Sequence, residues 1–118
     1  MSEILVISSF PDRDQARQIG TLLVRKQLAA CVNLLPSVES IFCWEGKLES
    51  ANEVLAFMKS TRACYPQVES EILARHPYEV PEIITLDISG GLPAYLGWIG
   101  EACQSSDHDP VESTGPEE

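Results

Sequence analysis

The sequence predicts an α+β domain, in which two helices cover one face of a four-stranded antiparallel sheet. Two short β-branched runs, at 4–9 and 82–88, are typical of buried strands. Two longer runs separated by Glu45 and Gly46 predict a hairpin. A helical pattern follows the first strand and another follows the hairpin. The order βαββαβ is that of a ferredoxin-like sandwich, here with an extra C-terminal helix.

The first helix is expected to begin at Pro11, because proline suits the first helical position. Its acids, Asp12 and Asp14, precede its bases, Arg25 and Lys26, an order that complements the helix dipole. One stripe follows helical spacing and should face the sheet. Its members are Ala16, Ile19, Leu22, Leu23 and Gln27.

The hairpin strands are predicted over 30–44 and 47–61, with Gly46 supplying the positive φ of a tight turn. Pro36 cannot donate to a β-ladder, so we expect a bulge or an edge position there. Strands of about 14 residues span roughly 45 Å at about 3.3 Å per residue. A domain of this size is only about 33 Å across. The hairpin should therefore extend beyond its own domain and favour pairing with another chain, unless it breaks at Pro36 and near Ala51.

The second helix is expected to begin at Pro66 and to end before Pro77. A strand over 82–88 and a last helix from Pro93 complete the domain. The apolar residues assigned to these helices are Val68, Ile72, Leu73, Tyr95, Leu96, Trp98 and Ile99.

Composition limits the partners. The 118 residues carry a net charge of -10, which disfavours nucleic acid and anionic lipid. No apolar run approaches the ~20 residues that span a bilayer. The N-terminus lacks the pattern of a signal peptide, which predicts a cytoplasmic protein. We expect a domain over 1–103 and a disordered acidic tail over 104–118, because the tail is nearly without apolar residues.

The four cysteines lack the spacing of a zinc site and are expected to be reduced. Cys31 and Cys43 are interpreted as small buried apolar residues. The two histidines are weak metal candidates by themselves. His76 ends a helix, where its charged form would suit the dipole, and His108 lies in the acidic tail.

Four segments, in this order, resemble the CutA divalent-cation-tolerance family. They are LAACVN at 28–33, WEGK at 44–47, HPYEVPEI at 76–83 and YLGWI at 95–99. The resemblance covers about residues 4–103. It implies a ferredoxin-like fold, a homotrimer similar in plan to PII signalling proteins, and a role in the response to metal ions, chiefly copper.

The resemblance also implies a metal site that this sequence matches only in part. Family members credited with copper binding use a cysteine and two adjacent histidines, at positions that correspond to Ser8, Arg75 and His76. Serine is a poor copper ligand and the arginine cation cannot coordinate. His76 is therefore the one predicted metal ligand.

A candidate inter-subunit pocket combines large amphipathic side chains with charged groups of the loop after the second helix. Glu79 and Glu82 could serve there as oxygen ligands or as partners for Lys47 or Arg75. For the aromatic members the alternative is ordinary core packing. The pocket residues are Trp44, Lys47, Tyr78, Glu79, Glu82, Tyr95 and Trp98.

Catalysis is not expected. Ser8, Ser9 and Cys31 are possible nucleophiles with His76 as base, yet no nucleophile-elbow or oxyanion motif accompanies them. Arg13 follows the first strand without the glycines of a phosphate cradle. The alternative function is a small-molecule-sensing or partner-binding trimer without a physiological metal site, although no basic, glycine-rich segment supports a nucleotide ligand.

Overall fold

Residues 2–104 are described in the computed structural model of the chain. They form four strands and three helices in the predicted order. The elements are β1 (Glu3–Phe10), α1 (Arg13–Arg25), β2 (Cys31–Trp44), β3 (Lys47–Thr61), α2 (Tyr65–Arg75), β4 (Ile83–Asp87) and α3 (Pro93–Ala102). None of the helices within 2–104 is long and apolar enough to cross a bilayer. The predicted tail lies outside the described residues, apart from Gln104.

The sheet is antiparallel, with the strand order β2-β3-β1-β4. Because strand side chains alternate, β1 presents Ile4 and Val6 to one face and Leu5 and Ile7 to the other. The first face, called here the covered face, packs against α1 and α2 and contains the core. The second face, called here the open face, is crossed only at one end by α3. There Tyr95 lies near Lys59, which is paired with Leu5.

The hairpin extends beyond the rest of the sheet, as its length predicts. β1 pairs with β3 only from Val54 to Thr61, so residues 47–53 pair with β2 alone. That overhang is about 23 Å at about 3.3 Å per residue. The molecule measures 44 × 33 × 23 Å with a radius of gyration of 15.0 Å, against about 13 Å for a compact domain of this size.

Local backbone geometry confirms two predictions for the hairpin. Glu45 and Gly46 both have positive φ, 51° and 79°, as a two-residue turn of the primed type requires. The register shifts between Leu35 and Val38, which places a bulge at Pro36 and Ser37. The pairing continues without a break through Ala51, so the alternative of two shorter strands is wrong.

Some boundaries and burials differ from expectation. α1 begins at Arg13 rather than Pro11, because the Asp12 side chain caps the helix by accepting from the backbone N–H of Gln15 at 2.9 Å. Gln27 lies beyond the helix with φ 61°, so it is not part of the apolar stripe.

Two side chains expected in the core are exposed. Leu73 faces solvent from α2, on which Val68 and Ile72 are the buried residues. Cys43 is exposed and Cys31 is partly buried, whereas Cys64 and Cys103 occupy the core; all four thiols are free. Cys43 lies in the overhang, beyond the reach of the helices that cover the rest of the sheet.

Candidate functional site

The His76 imidazole is buried at the end of α2 and both its nitrogens are hydrogen-bonded. Nδ1 accepts from the backbone N–H of Tyr78 at 3.1 Å, and Nε2 donates to the carbonyl of Ser9 at 2.7 Å. The ring stacks on Phe10 with a centroid distance of 4.7 Å. His76 therefore joins the end of β1 to the start of the loop that follows α2.

This geometry determines the tautomer. An N–H pointing at Nδ1 requires a lone pair on that atom, and the Ser9 carbonyl requires the hydrogen on Nε2. The arrangement is that of a neutral imidazole with no nitrogen lone pair left for a metal ion. A role for His76 as a metal ligand stays a prediction, and it would require the ring to give up one of these two hydrogen bonds.

The two neighbouring family positions do not complete a metal site. Ser8 is fully buried on the covered face, and its hydroxyl has no hydrogen-bond partner among the described residues. Arg75 pairs with Glu71 on the outside of α2. Within 2–104 no three His, Cys, Asp or Glu side chains are grouped closely enough to hold a metal ion. The described residues of one chain do not fit a resident copper ion.

Tyr78 links the loop after α2 to the base of the hairpin. Its hydroxyl donates to the Glu53 carboxylate at 2.9 Å, and Ser40 donates to the other oxygen of that carboxylate at 2.6 Å. Burial, followed by the adjacent Glu53 carboxylate, raises the pKa of Tyr78 to about 12. The phenol is therefore protonated at neutral pH and acts as a hydrogen-bond donor.

The two acids of the loop make no ion pair with either proposed base. Glu79 and Glu82 are exposed, and Arg75 is engaged by Glu71 instead. Lys47 lies at the far end of the hairpin, next to the turn, and forms no salt bridge with a described residue. The suggested pairing of Glu79 or Glu82 with Lys47 or Arg75 is not formed among the described residues of one chain, and between chains it stays a prediction.

At the opposite end of the sheet, α3 presents a small polar and aromatic cluster on the open face. The Lys59 ammonium donates to the Asn33 side-chain oxygen at 2.5 Å and lies 5.9 Å from the centroid of the Tyr95 ring. Tyr95 in turn contacts Trp98 at 5.5 Å between ring centroids. The exposed fraction is 40% for Tyr95 and 44% for Trp98. They are surface groups here, which argues against simple core packing.

Sequence reasoning missed Lys59 and Asn33 as candidates. A signal was present in the sequence, because Lys59 is the one charged residue between Val54 and Thr61 and directly follows five apolar residues. Burying a lysine costs free energy unless its ammonium is paired, so a lysine in an apolar strand indicates a satisfied or functional position.

The predicted pocket residues occupy three separate places in one chain. Trp44 and Lys47 flank the hairpin turn, Tyr78 lies at the hairpin base, and Tyr95 and Trp98 lie beside Lys59. Lys47 and Lys59 are about 40 Å apart along β3 at about 3.3 Å per residue. Only neighbouring chains could bring all of them together.

The candidate nucleophiles are not assembled either. His76 meets the backbone carbonyl of Ser9 rather than a serine hydroxyl. Cys31 lies opposite Lys59, on the face of the sheet away from the covered core. No nucleophile–base pair is formed by Ser8, Ser9 or Cys31 with His76 among the described contacts.

Comparison with known proteins identifies relatives over nearly the whole described chain. The family model "CutA1 divalent ion tolerance protein" matches residues 4–102. The divalent-cation tolerance protein CutA of Thermus thermophilus is 40% identical over 101 residues, which cover 86% of this chain and 97% of that protein. The chloroplastic protein CutA of Arabidopsis thaliana is 38% identical over 81% of this chain, and the match spans only 53% of that longer protein.

Solved structures agree with the fold. The CutA1 structure from Shewanella sp. SIB1 has a TM-score of 0.85 and 39% sequence identity, and the match covers 88% of this chain and 97% of that one. This chain therefore shares its four-stranded sheet and three helices with that structure. The sequence identity of about 40% shows that the relationship is one of family as well as of fold.

Proposed function

Because this chain belongs to the CutA1 divalent ion tolerance protein family, we propose that it acts as a homotrimer in the tolerance of divalent cations, through binding rather than catalysis. The relatives are named divalent-cation tolerance proteins. The number three is carried over from the family resemblance. The need for assembly has support in the chain itself.

The observation that carries the proposal is the exposed apolar surface of the open face, together with the overhanging hairpin. Ile84 and Leu86 are 50% and 52% exposed on β4, although they lie beside the core of the sheet. The overhang adds Ile41 and Leu48, at 67% and 80%. Apolar surface and unpaired strand edges of this extent favour contact with further copies. Because Ile41 and Leu48 lie on the opposite side of the sheet from Ile84 and Leu86, a trimer must bury the open face and also enclose the overhang to remove both.

The assembly is tested by light scattering on the purified protein, where a trimer has three times the 13.0 kDa chain mass. Ile84→Glu should dissociate it, because a charge would be buried in the interface. Thr85→Glu is the matched control, since Thr85 is exposed on the same strand but points to the other face. A wild-type mass of one chain would contradict the proposal, as would a trimer that Ile84→Glu leaves intact.

The proposal assigns no resident copper ion to a single subunit. Copper binding, expected from the resemblance, is tested by calorimetric titration with Cu(II) of the wild type and of His76→Gln. Equal binding by both, or binding by neither, supports a structural role for His76. Loss of stoichiometric binding in a variant that remains folded and trimeric would make His76 a ligand after all, with its hydrogen bonds exchanged for the metal.

The compartment and the excluded partners remain predictions of the sequence. We propose a cytoplasmic protein that binds neither nucleic acid nor membranes, since its net charge of -10 disfavours both of these partners. Fractionation of cells that express the full chain tests the compartment. A pellet enriched in the protein at physiological salt would contradict the membrane exclusion.

A second candidate function, sensing of a small anionic molecule, is favoured by the Lys59 cluster. Lys59 forms no salt bridge with a carboxylate among residues 2–104. It lies beside two half-exposed rings, so a planar carboxylate could pair with the ammonium and stack on Tyr95 or Trp98. Benzoate is a suitable probe and benzylamine the control of opposite charge.

Binding of benzoate should be weakened up to about fivefold by Lys59→Met, since an ion pair at a partly exposed site contributes up to about 1 kcal/mol. Arg13→Met is the matched control, because it removes an exposed cation that lies beyond the opposite end of β1 from Lys59. Equal affinity of the two variants, or equal binding of benzylamine, would eliminate this function.

A further inference from the structure

The outer surface of α1 is basic, which is unusual for a protein of net charge -10. On the solvent side of α1, Arg17, Thr21 and Arg25 follow one another at intervals of four residues. Their side chains, with Gln18 and Leu22, line a shallow depression of about 340 Å³. We call these five residues the arginine face.

The two arginines of this face form no salt bridge with any residue that the structure describes. The salt bridges within 2–104 engage Lys26, Arg62 and Arg75, and neither Arg17 nor Arg25 takes part in any of them. Both side chains are exposed. The chain has 18 acidic residues and 8 basic ones, so two unpaired guanidinium groups beside one depression form a local site for carboxylates.

The chain itself carries a segment of matching charge. Residues 105–118 contain Asp107, Asp109 and Glu112, two further glutamates, and no lysine or arginine. Gln104, the residue that precedes this segment, lies close to the C-terminal end of α1. The backbone N–H of Gln104 donates to the carbonyl of Gln27 at 2.8 Å, just beyond the end of α1.

The distances are compatible with contact. Arg25 and Arg17 are about 12 Å apart along the helix, at about 1.5 Å per residue. The eight residues from 105 to 112 can span up to about 26 Å at about 3.3 Å per residue. A segment of this length that starts beside Gln27 is therefore long enough to reach both arginines.

We propose that the arginine face of α1 is a docking surface for the chain's own acidic segment, residues 105–118. The inference does not rest on the proposed trimer, because α1 lies on the covered face and its outer side points away from the open face. It assigns a function to two features that the cation-tolerance proposal leaves unused.

The test uses the full chain and a protease that cleaves after glutamate, with release of residues 113–118 followed by mass spectrometry. Docking protects the bond after Glu112. Arg17→Gln/Arg25→Gln should release the fragment about fivefold faster at low salt, which is the effect that two exposed ion pairs of ordinary strength produce. Lys47→Gln, which removes a cation at the hairpin tip, should cleave at the wild-type rate. Salt at roughly 0.5 M should abolish the difference by screening.

A second variant keeps the result independent of any effect on α1. Asp107→Asn/Asp109→Asn retains the cleavage site and should match the arginine variant, and the combined variant should be no faster than either one, because the two sets act on the same contact. Equal rates for wild type and the arginine variant at low salt overturn the proposal. So does additive acceleration, or a rate that rises when the protein is diluted, which would place the segment on another molecule.

Discussion

The two faces of one sheet differ in how completely this chain buries them. On the covered face, Val6 and Met58 are almost fully buried beneath α1 and α2. On the open face, Ile84 and Leu86 are half exposed, although they belong to the same sheet. Strand alternation places apolar side chains on both faces, and one chain supplies enough helix for one of them. The comparison indicates that stability resides in the covered face and assembly in the open one.

The largest effect is expected for Ile72→Ala, which should lower the free energy of unfolding by about 2–5 kcal/mol by leaving a cavity in the core. Its neighbour Leu73 is 52% exposed on the same helix, and Leu73→Ala should change stability by less than about 0.5 kcal/mol. Urea denaturation of both variants measures the difference. Similar losses for the two would mean that the outer side of α2 is also buried in the assembly.

The next largest effect is expected at His76, which lies where the covered face meets the loop. His76→Ala removes the stack on Phe10 and both hydrogen bonds, and should cost about 2–3 kcal/mol. His76→Phe keeps an aromatic ring and loses only the hydrogen bonds, so its cost should be smaller, about 1–2 kcal/mol. Thermal unfolding compares them. A harmless His76→Ala would indicate that the buried hydrogen bonds contribute nothing to stability.

A smaller effect is expected for Tyr78→Phe, which removes the hydrogen bond from the loop after α2 to Glu53 at the base of the hairpin. The loss should be about 1 kcal/mol near neutral pH. Because folding raises the pKa of Tyr78 from 10.0 to about 12, the folded state keeps a proton that the unfolded state loses. Stability should therefore fall as pH rises through this window.

Cys103 acts in the same direction, since burial raises its pKa to about 11. The difference between wild type and Tyr78→Phe isolates the phenol, because Cys103 is common to both. Unfolding measured from neutral to strongly alkaline pH should show a shallower decline in the variant. Parallel declines would exclude a contribution from this phenol.

The smallest effect is expected at Glu71, outside the core. The hydrogen bond from Lys26 lowers the pKa of this carboxyl below 4.5, with Arg75 adding to the effect and burial opposing it. Its stabilisation is present above the ordinary pKa and is lost as pH falls through the lowered value. Glu71→Gln should cost about 0.2–1 kcal/mol near pH 7.

The cost of Glu71→Gln should vanish in acid, where the wild-type carboxylate is protonated too. Paired acid denaturation curves of wild type and variant measure this. The control is Glu69→Gln, on the same helix but outside the Lys26 and Arg75 pairs. A gap between Glu71→Gln and wild type that persists in acid would assign the effect to packing.

The fold was largely predictable because its signals are local. β-branched runs, Pro66 at a helix start and the Glu45–Gly46 turn act within a few residues of themselves. The candidate site was less predictable. The Asn33–Lys59 pair depends on the register between β2 and β3, and the Nε2 hydrogen bond of His76 depends on a carbonyl 67 residues away.

By itself the sequence determined the order of elements, the overhanging hairpin and the acidic surface, because periodicity, chain length and charge are properties of the chain. Only the tertiary structure decided which apolar side chains are buried, as the contrast of Ile72 with Ile84 shows. It also decided that both ring nitrogens of His76 are engaged in hydrogen bonds. The physical reason is that burial and hydrogen bonding are completed by groups distant in sequence, whose positions no local pattern records.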